Sequence, residues 1–244
     1  MTKIFELQNH ILIDTDCMNP AEHRHMAAHI IISKGNHMNV MVDHKEYLCK
    51  GICIPSGDSH KIDTCGNPVL VFLYDNTTNV SKHIQRVREI NDEKCVNILS
   101  RYDEFEKSSS KADYSKIEKY ILEEFGLDAL NGIVSDDRMI AAMQYVRENV
   151  NLNMTCKEVS DFVFLSESRF SHLFREQVGM TFAAYLIYQR ILSVYADVMR
   201  GKTVTEAAIE SGFSSSTHFA DVNRRVFGIS IRNISRDLNY IKVK

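Results

Sequence analysis

Histidine is the residue type with the richest possible chemistry near the start of this sequence. Eight of the ten histidines lie before residue 84. Two of them form His23-Arg-His25, His29 follows four residues later, and His60 ends the segment Pro55-Ser-Gly57-Asp-Ser-His60. Imidazole nitrogens bind transition metals and titrate near neutral pH. These side chains could therefore bind a metal, sense pH, line a ligand pocket or form ordinary hydrogen bonds at strand ends.

Motifs of the common enzyme classes are missing from the sequence. There is no glycine-rich phosphate loop, no GxSxG and no HExxH. Asp58-Ser-His60 contains the residue types of a catalytic triad but no surrounding motif of a triad enzyme. The six cysteines are scattered without a CxxC pair, which favours reduced thiols over disulfides or a zinc cluster. The sequence therefore predicts a protein that is not an enzyme and needs no cofactor.

Charge is distributed unevenly along the chain. The 244 residues are 44 % hydrophobic and 25 % charged, with a net charge of −3, which is typical of a globular protein. Residues 1–137 have a balance of −7, whereas residues 138–244 have a balance of +4. This asymmetry indicates two domains, the second with a polyanion as a possible partner. No apolar run approaches the roughly 18 residues of a membrane span, and no secretion leader is evident, so we expect a cytoplasmic protein.

The first 79 residues have the pattern of a small β domain. All three prolines and four of the ten glycines lie in the first 68 residues. Short strands separated by turn residues predict an antiparallel sandwich or barrel. The predicted strands are Ala28–Ser33, His37–Val42, Lys45–Cys49, Ile52–Ile54 and Val69–Tyr74.

Residues 80–134 are predicted to be helical. Apolar residues step by threes and fours from Val80 to Phe105, which predicts an amphipathic helix of roughly 25 residues that ends at Ser108-Ser-Ser110. The apolar stripe either packs on its own domain or pairs two subunits into a homodimer. In the second case the dimer contacts would be Ile84, Val87, Ile98 and Tyr102.

Two segments of the basic half resemble each other at a spacing of 48–49 residues. Thr155-Cys-Lys-Glu158 and Thr203-Val-Thr-Glu206 both match the capping box, in which a hydroxyl and a carboxylate bind free backbone groups at a helix start. Each opens a short helix that is followed by a tight turn and a second helix. The predicted inward residues of the second helices are Phe170, Leu173 and Phe174 in the first copy and Phe219, Val222 and Asn223 in the second.

This layout is that of a helix-turn-helix, whose second helix enters the major groove of DNA. The outward side chains of the two second helices include hydroxyl, imidazole and guanidinium groups, which bind base edges and phosphates. A plain helical bundle with a solvated polar face is the alternative. The predicted DNA-binding residues are Glu167, Ser168, Arg169, Ser171, His172 and Arg175 in the first copy, and Ser215, Ser216, Thr217, His218, Arg224 and Arg225 in the second.

Residues 137–236 resemble the DNA-binding domain of the AraC/XylS family of bacterial transcription regulators. The resemblance implies seven helices, with Phe182–Met199 as a stiff connector that holds two recognition helices in successive major grooves. It also implies a promoter-bound activator or, less often, a repressor, with double-stranded DNA and RNA polymerase as partners. The segments that carry it are Ser166–Phe174, Gly179–Leu186, Ile187–Met199, Val204–Phe213 and Thr217-His-Phe219.

The second copy departs from the family pattern. Ile231 stands where the closing motif of the family has a proline, and Ile234 where it has a tyrosine. Asn223 occupies a predicted buried position that is usually phenylalanine, where an amide costs roughly 1–3 kcal/mol unless it is hydrogen-bonded. Asp221 replaces a usual basic residue and would repel phosphate. We therefore predict that the first motif carries most of the sequence reading.

The histidine pattern, HxH with a distant PxGxxH, resembles the cupin barrel, which the AraC/XylS family often uses as a sensor domain. The resemblance covers roughly residues 15–75. It implies a metal-ligand set of His23, His25 and His60, with His29 in place of a glutamate, or an organic effector pocket that involves the same residues. We favour the organic effector. A metal-dependent cupin enzyme, or a metal or pH sensor using these four histidines, is the alternative function.

Together these features predict an α+β protein in three parts. Residues 1–79 form a cupin-like sensor barrel, residues 80–134 a helical linker or dimerisation segment, and residues 135–244 an AraC-type domain with two helix-turn-helix motifs. The expected function is that of a sequence-specific DNA-binding bacterial regulator, an activator, without a membrane partner. Control would come from a small effector or from dimerisation through the barrel.

Overall fold

The computed structural model describes residues 2–7, 10–16, 18, 22–24, 27–108, 110–127, 129, 131, 133–151, 153–227 and 238–242. The chain divides into two compact units. The first unit comprises Met1–Gly132 and Arg225–Lys244, and the second comprises Ile133–Arg224.

Strands dominate the first unit. In the described part of the chain they form a seven-stranded sheet in the order β10-β1-β2-β8-β3-β6-β9 and a three-stranded sheet in the order β5-β4-β7. Every pairing between them is antiparallel except that of β1 with β10, which is parallel. The strands are β1 (Thr2–Glu6), β2 (His10–Thr15), β3 (Ala28–Ser33), β4 (Met38–Val42), β5 (Lys45–Cys49), β6 (Gly51–Ile54), β7 (His60–Asp63), β8 (Val69–Tyr74), β9 (Arg88–Ile90) and β10 (Leu238–Lys242).

Burial along the strands follows their position in the sheets. Every residue of β2, β3 and β8 is buried, as expected where both faces of a sheet are covered. In β4, the side chains of Met38, Val40 and Val42 are buried and that of Asn39 is exposed, so this strand has one apolar face. The predicted bounds of β3, β5 and β8 are confirmed, whereas β4 and β6 each differ by one residue at their start.

The single long helix predicted from residue 80 is wrong. The chain forms a short helix, then β9, then two longer helices. Residues Arg88–Ile90 pair with Gly51–Cys53 of β6, which removes them from the helix. The side chain of Asn91 then accepts a hydrogen bond from the backbone N–H of Lys94 at 2.9 Å and starts a new helix there. The helices are α1 (Asn79–His83), α2 (Asp92–Ser108) and α3 (Lys111–Glu124).

The apolar stripe of this region packs inside the subunit. Ile84, Ile98 and Tyr102 are buried in the core of the first unit, and Val87 is half-buried. The Tyr102 hydroxyl donates a hydrogen bond to Asp14 of β2 at 2.6 Å, which ties α2 to the sheet. Dimerisation, whether or not it involves the half-buried Val87, remains a prediction.

The second unit is helical. Its first helix begins after Asp136, whose side chain caps the helix by accepting a hydrogen bond from the N–H of Arg138. Its inner face, Met139, Ala142, Met143 and Val146, is buried. No helix in the described ranges is long and apolar enough to cross a membrane. The helices are α4 (Asp137–Asn149), α5 (Cys156–Phe162), α6 (Glu167–Val178), α7 (Phe182–Met199), α8 (Val204–Glu210) and α9 (Ser216–Phe227), and the boundary between the units falls within α9, after Arg224.

Candidate nucleic-acid interface

The first helix-turn-helix consists of α5 and α6, and α6 is held in place by an aromatic cluster. Phe170 and Phe174 lie on its inner face, fully buried, and pack against Phe182 of α7 at ring-centroid distances of 5.1 and 5.4 Å. The Ser166 hydroxyl caps the helix by accepting a hydrogen bond from the N–H of Arg169 at 3.3 Å. Contacts within the domain therefore hold both the inner face and the first turn of α6 in place.

The outer face of α6 brings together all the side chains predicted for the first motif. Within the described residues, the guanidinium groups of Arg169 and Arg175 form no ion pair, so both are available to phosphates or guanine edges. Cys156, which is not among the predicted residues, also lies here, with its thiol sulfur 3.6 Å from the hydroxyl of Ser171. The exposed residues of this face are Glu167, Ser168, Arg169, Ser171, His172 and Arg175.

The second helix-turn-helix consists of α8 and α9, and part of its polar set stabilises its own turn. The Ser215 hydroxyl accepts a hydrogen bond from the N–H of His218 at 3.0 Å. The His218 Nδ1 atom in turn accepts from the N–H of Ser214 at 3.3 Å. Thr217, His218, Arg224 and Arg225 are exposed, whereas Ser215 and Ser216 are half-buried.

Asn223 is the polar residue predicted to lie inside the second motif, and the structure confirms that it is fully buried. The hydroxyl of Tyr195 on α7 donates a hydrogen bond to its Oδ1 atom. Burial raises the pKa of Tyr195, so the hydroxyl keeps its proton and remains a donor. This bond offsets the desolvation cost of the amide.

The two helix starts differ, although both match the capping-box sequence. In the second copy the box is complete, since Thr203 and Glu206 bind each other's backbone groups. In the first copy Thr155 caps the N–H of Glu158 at 3.1 Å, but the Glu158 carboxylate accepts a hydrogen bond from the Tyr145 hydroxyl at 2.8 Å instead. The prediction of a capping box in the first copy is therefore wrong, because the Glu158 carboxylate binds the hydroxyl of Tyr145 on α4 and not the backbone of Thr155.

Arg190, in the middle of α7, links the two motifs. Its Nη2 atom donates to the carbonyl oxygen of Met154, just before α5, at 3.3 Å. On the other side it lies against Gly212 in the turn after α8, where an added Cβ would be 2.7 Å from the Arg190 Cζ atom. Gly212 has φ +95°, a conformation that favours glycine. The one available sequence signal was a charged residue in the middle of a largely apolar helix.

The histidines of the first unit come together only in part. The His60 ring lies 4.4 Å from that of His23 and 4.5 Å from that of His29, centroid to centroid. Burial lowers the pKa of His60 to about 4, so it is neutral at pH 7, which argues against pH sensing near neutrality. His25 lies outside the described residues, and no group of three or more ligands among the described residues is placed to hold a metal.

A sequence model described as a helix-turn-helix domain matches residues 159–237, which cover both second helices and the connector between them. This chain carries an AraC-type helix-turn-helix domain. The helices α6 and α9, with the exposed and buried faces described above, both belong to this AraC-type domain.

Curated relatives match the same AraC-type domain. LumQ of Photobacterium leiognathi, named a probable transcriptional regulator, is 30 % identical over 93 residues, which are 38 % of each chain. An uncharacterised HTH-type transcriptional regulator of Staphylococcus aureus is 32 % identical over 89 residues, 36 % of this chain and 12 % of the relative. This chain thus matches well under half the length of either. Both are named as regulators rather than enzymes, in agreement with the absence of enzyme motifs.

Solved structures share the fold over most of the chain. An apo variant of ToxT from Vibrio cholerae superimposes with a TM-score of 0.60 at 10 % identity, over 93 % of this chain and 97 % of ToxT. Wild-type ToxT with a bound unsaturated fatty acid gives a TM-score of 0.55 at 11 % identity, over 92 % and 95 % of the two chains. The predicted α+β order, strands first and the AraC-type domain after them, is confirmed.

Proposed function

We propose that this protein is a promoter-binding transcription regulator in which the first helix-turn-helix is the main reader of sequence. The observation that supports this best is the outer face of α6, where Arg169 and Arg175 are exposed beside Ser168, Ser171 and His172. Arginine forms paired hydrogen bonds with guanine, and small hydroxyls can pair with either donor or acceptor groups on base edges. Such contacts need a helix that does not shift, and the aromatic cluster beneath α6 supplies that rigidity.

The second motif has a different part in this proposal. Ser215 and His218 already hold the turn before α9, which leaves Thr217 and Arg224 as its main exposed contacts. Arginine and threonine side chains also bind phosphate oxygens, and we assign these two mainly to phosphate contacts. Arg190 contacts both the segment before α5 and the turn after α8. In this proposal it helps to set the separation of the two motifs, so that α6 and α9 would enter major grooves about 34 Å apart.

An in vitro selection tests this function. The full chain is incubated with random-sequence duplex DNA near physiological salt, where nonspecific phosphate binding is weak, and the bound duplexes are sequenced. We expect one enriched site about two helical turns long. Arg169→Ala should lower the affinity for that site about tenfold, whereas Arg86→Ala, an exposed arginine of the first unit, should leave it unchanged. Absence of an enriched sequence would contradict the proposal.

We further propose that the first unit controls DNA binding in response to an organic effector, and that the outcome is activation through RNA polymerase by a homodimer in the cytoplasm. The shared fold with a ToxT structure that contains an unsaturated fatty acid supports a fatty acid as the first candidate. Oleate at micromolar concentration should raise the unfolding temperature and change the affinity for the selected duplex. If other organic acids and oleate all leave both values unchanged, effector control of this type is excluded.

A further inference from the structure

Phe164, in the turn between α5 and α6, combines two unfavourable features. Its side chain is 94 % exposed, the highest value among the exposed large hydrophobic residues of the described chain. Its backbone has φ +56°, the left-handed region in which a bulky residue is a genuine outlier. An exposed ring gains nothing from burial, and a strained backbone costs free energy, so neither feature stabilises the fold.

The second motif shows how the same turn is built without either feature. Gly212 stands at the corresponding place, 48 residues later, with φ +95°. Both turns are closed by backbone bonds, from Phe164 N–H to the Asp161 carbonyl at 3.1 Å and from Gly212 N–H to the Ile209 carbonyl at 3.0 Å. Glycine or asparagine would therefore make the first turn with less strain.

Among the described residues, the ring of Phe164 makes no contact with another aromatic side chain. Its nearest aromatic neighbour in sequence, Phe162, stacks instead on Tyr145, with ring centroids 4.2 Å apart. The next residue, Leu165, turns inward and packs against the core of the unit. The turn thus directs one apolar side chain into the core and leaves the other in solvent.

We propose that Phe164 is a DNA-contacting residue whose ring packs against sugar and thymine-methyl surface beside the site bound by α6. This inference rests on the proposed DNA-binding function. Phe164 lies two residues before Ser166, the cap of α6, and so within about 7 Å of it along the chain. In a helix-turn-helix the start of the second helix approaches the base edges. Aromatic rings can contact thymine methyl groups or wedge between bases, so DNA is the surface that would cover this ring.

Two substitutions at this position separate strain from binding. Phe164→Gly removes both the strain and the ring, whereas Phe164→Tyr keeps both. For Phe164→Gly we expect the unfolding temperature to rise by about 2–4 °C and the affinity for the duplex selected by the wild-type chain to fall about tenfold. Phe164→Tyr should match the wild type in both measurements. Ile209→Ala, an exposed apolar residue on α8, should leave DNA affinity unchanged.

The possible outcomes separate the role of Phe164 from the proposed DNA-binding function of the whole chain. If the wild-type chain selects no duplex, both the function and the role of Phe164 are overturned. If it selects one and Phe164→Gly binds it equally well, only the role of Phe164 in DNA binding is overturned. In that case a loss of transcription from a reporter promoter, with DNA affinity intact, would assign the ring to a protein partner such as RNA polymerase. A fall in the unfolding temperature of Phe164→Gly would show that the ring is packed in solution, and would also overturn the inference.

Discussion

The two helix-turn-helix motifs follow one backbone plan with different side-chain solutions. In the first, α6 rests on an apolar aromatic cluster, and its outer polar side chains remain open. In the second, α9 buries the amide of Asn223 under the hydroxyl of Tyr195, and Ser215 and His218 bind the turn. A repeated backbone therefore does not imply a repeated role. Polar groups that a motif uses for its own stability are less available to DNA.

The core of the first motif should be the more sensitive of the two. Phe174→Ala removes a ring that contacts Phe182 and Tyr185, and we expect it to lower the free energy of unfolding by about 3–5 kcal/mol. The matched change in the second motif, Asn223→Ala, should cost about 1–3 kcal/mol. Urea unfolding measures both. Equal losses would show that the two cores are equivalent after all.

The glycine turn of the second motif should tolerate no side chain. Gly212→Ala adds a Cβ at φ +95° that would lie 2.7 Å from the Arg190 Cζ atom, and we expect a loss of about 2–4 kcal/mol. Gly57→Ala is the matched control, since Gly57 has φ +88° but open space where its Cβ would lie. It should cost only about 1 kcal/mol. A similar cost at both positions would mean that Arg190 moves aside freely.

The buried polar pair of the second motif can be tested by a double-mutant cycle. Tyr195→Phe leaves the amide of Asn223 buried without its donor, and should cost about 1–3 kcal/mol. Replacing both groups, as Tyr195→Phe with Asn223→Leu, should recover most of this loss because no polar group is then left unsatisfied. If the losses of Tyr195→Phe alone and Asn223→Leu alone simply add in the double variant, the hydrogen bond is not what stabilises the pair.

DNA affinity should depend on the first motif more than on the second. Arg169→Ala removes from α6 a guanidinium group that forms no ion pair within the described residues, and should weaken binding of the selected duplex about tenfold. Arg225 of α9 already interacts with another group, and Arg225→Ala should weaken binding by less. Fluorescence anisotropy at one fixed salt concentration measures both. Equal losses would overturn the proposed division of roles.

The smallest expected effect concerns the two helix starts. Hydrogen bonds from Thr203 lower the pKa of Glu206 below its ordinary value of 4.5, so the charged carboxylate stabilises the fold at neutral pH and this contribution is lost as the pH falls below 4.5. The unfolding temperature of Glu206→Gln should therefore lie below that of the wild type at pH 7 and converge with it in acid. Glu158→Gln should act through Tyr145 instead, and have no effect in a Tyr145→Phe background.

Features set by local pattern could be predicted from the sequence. The bounds of β3, β5 and β8 follow from short strand-type runs between turn residues, whereas the bounds of α7 were predicted only from the resemblance to the AraC/XylS family. The outward positions of α6 follow from the helical period alone. The strand bounds and these outward positions depend on residues that are neighbours along the chain.

Features set by distant contacts could not be predicted. The interruption at β9 depends on pairing with β6, and the incomplete capping box depends on Tyr145, which reaches Glu158 from another helix. The roles of Arg190 and Tyr195 likewise require knowing which turns and helices face α7. A periodic pattern identifies a buried or exposed position, but it does not identify the partner there.

The parallel pairing of β1 with β10 has a consequence for how the chain is made. Thr2–Glu6 is synthesised before both helix-turn-helix motifs, whereas its neighbour Leu238–Lys242 is synthesised after them. During synthesis, β1 therefore has an unpaired edge for as long as the intervening chain is being added, and such edges favour aggregation. The pairing of β1 with β10 is therefore a late event in the folding of the first unit.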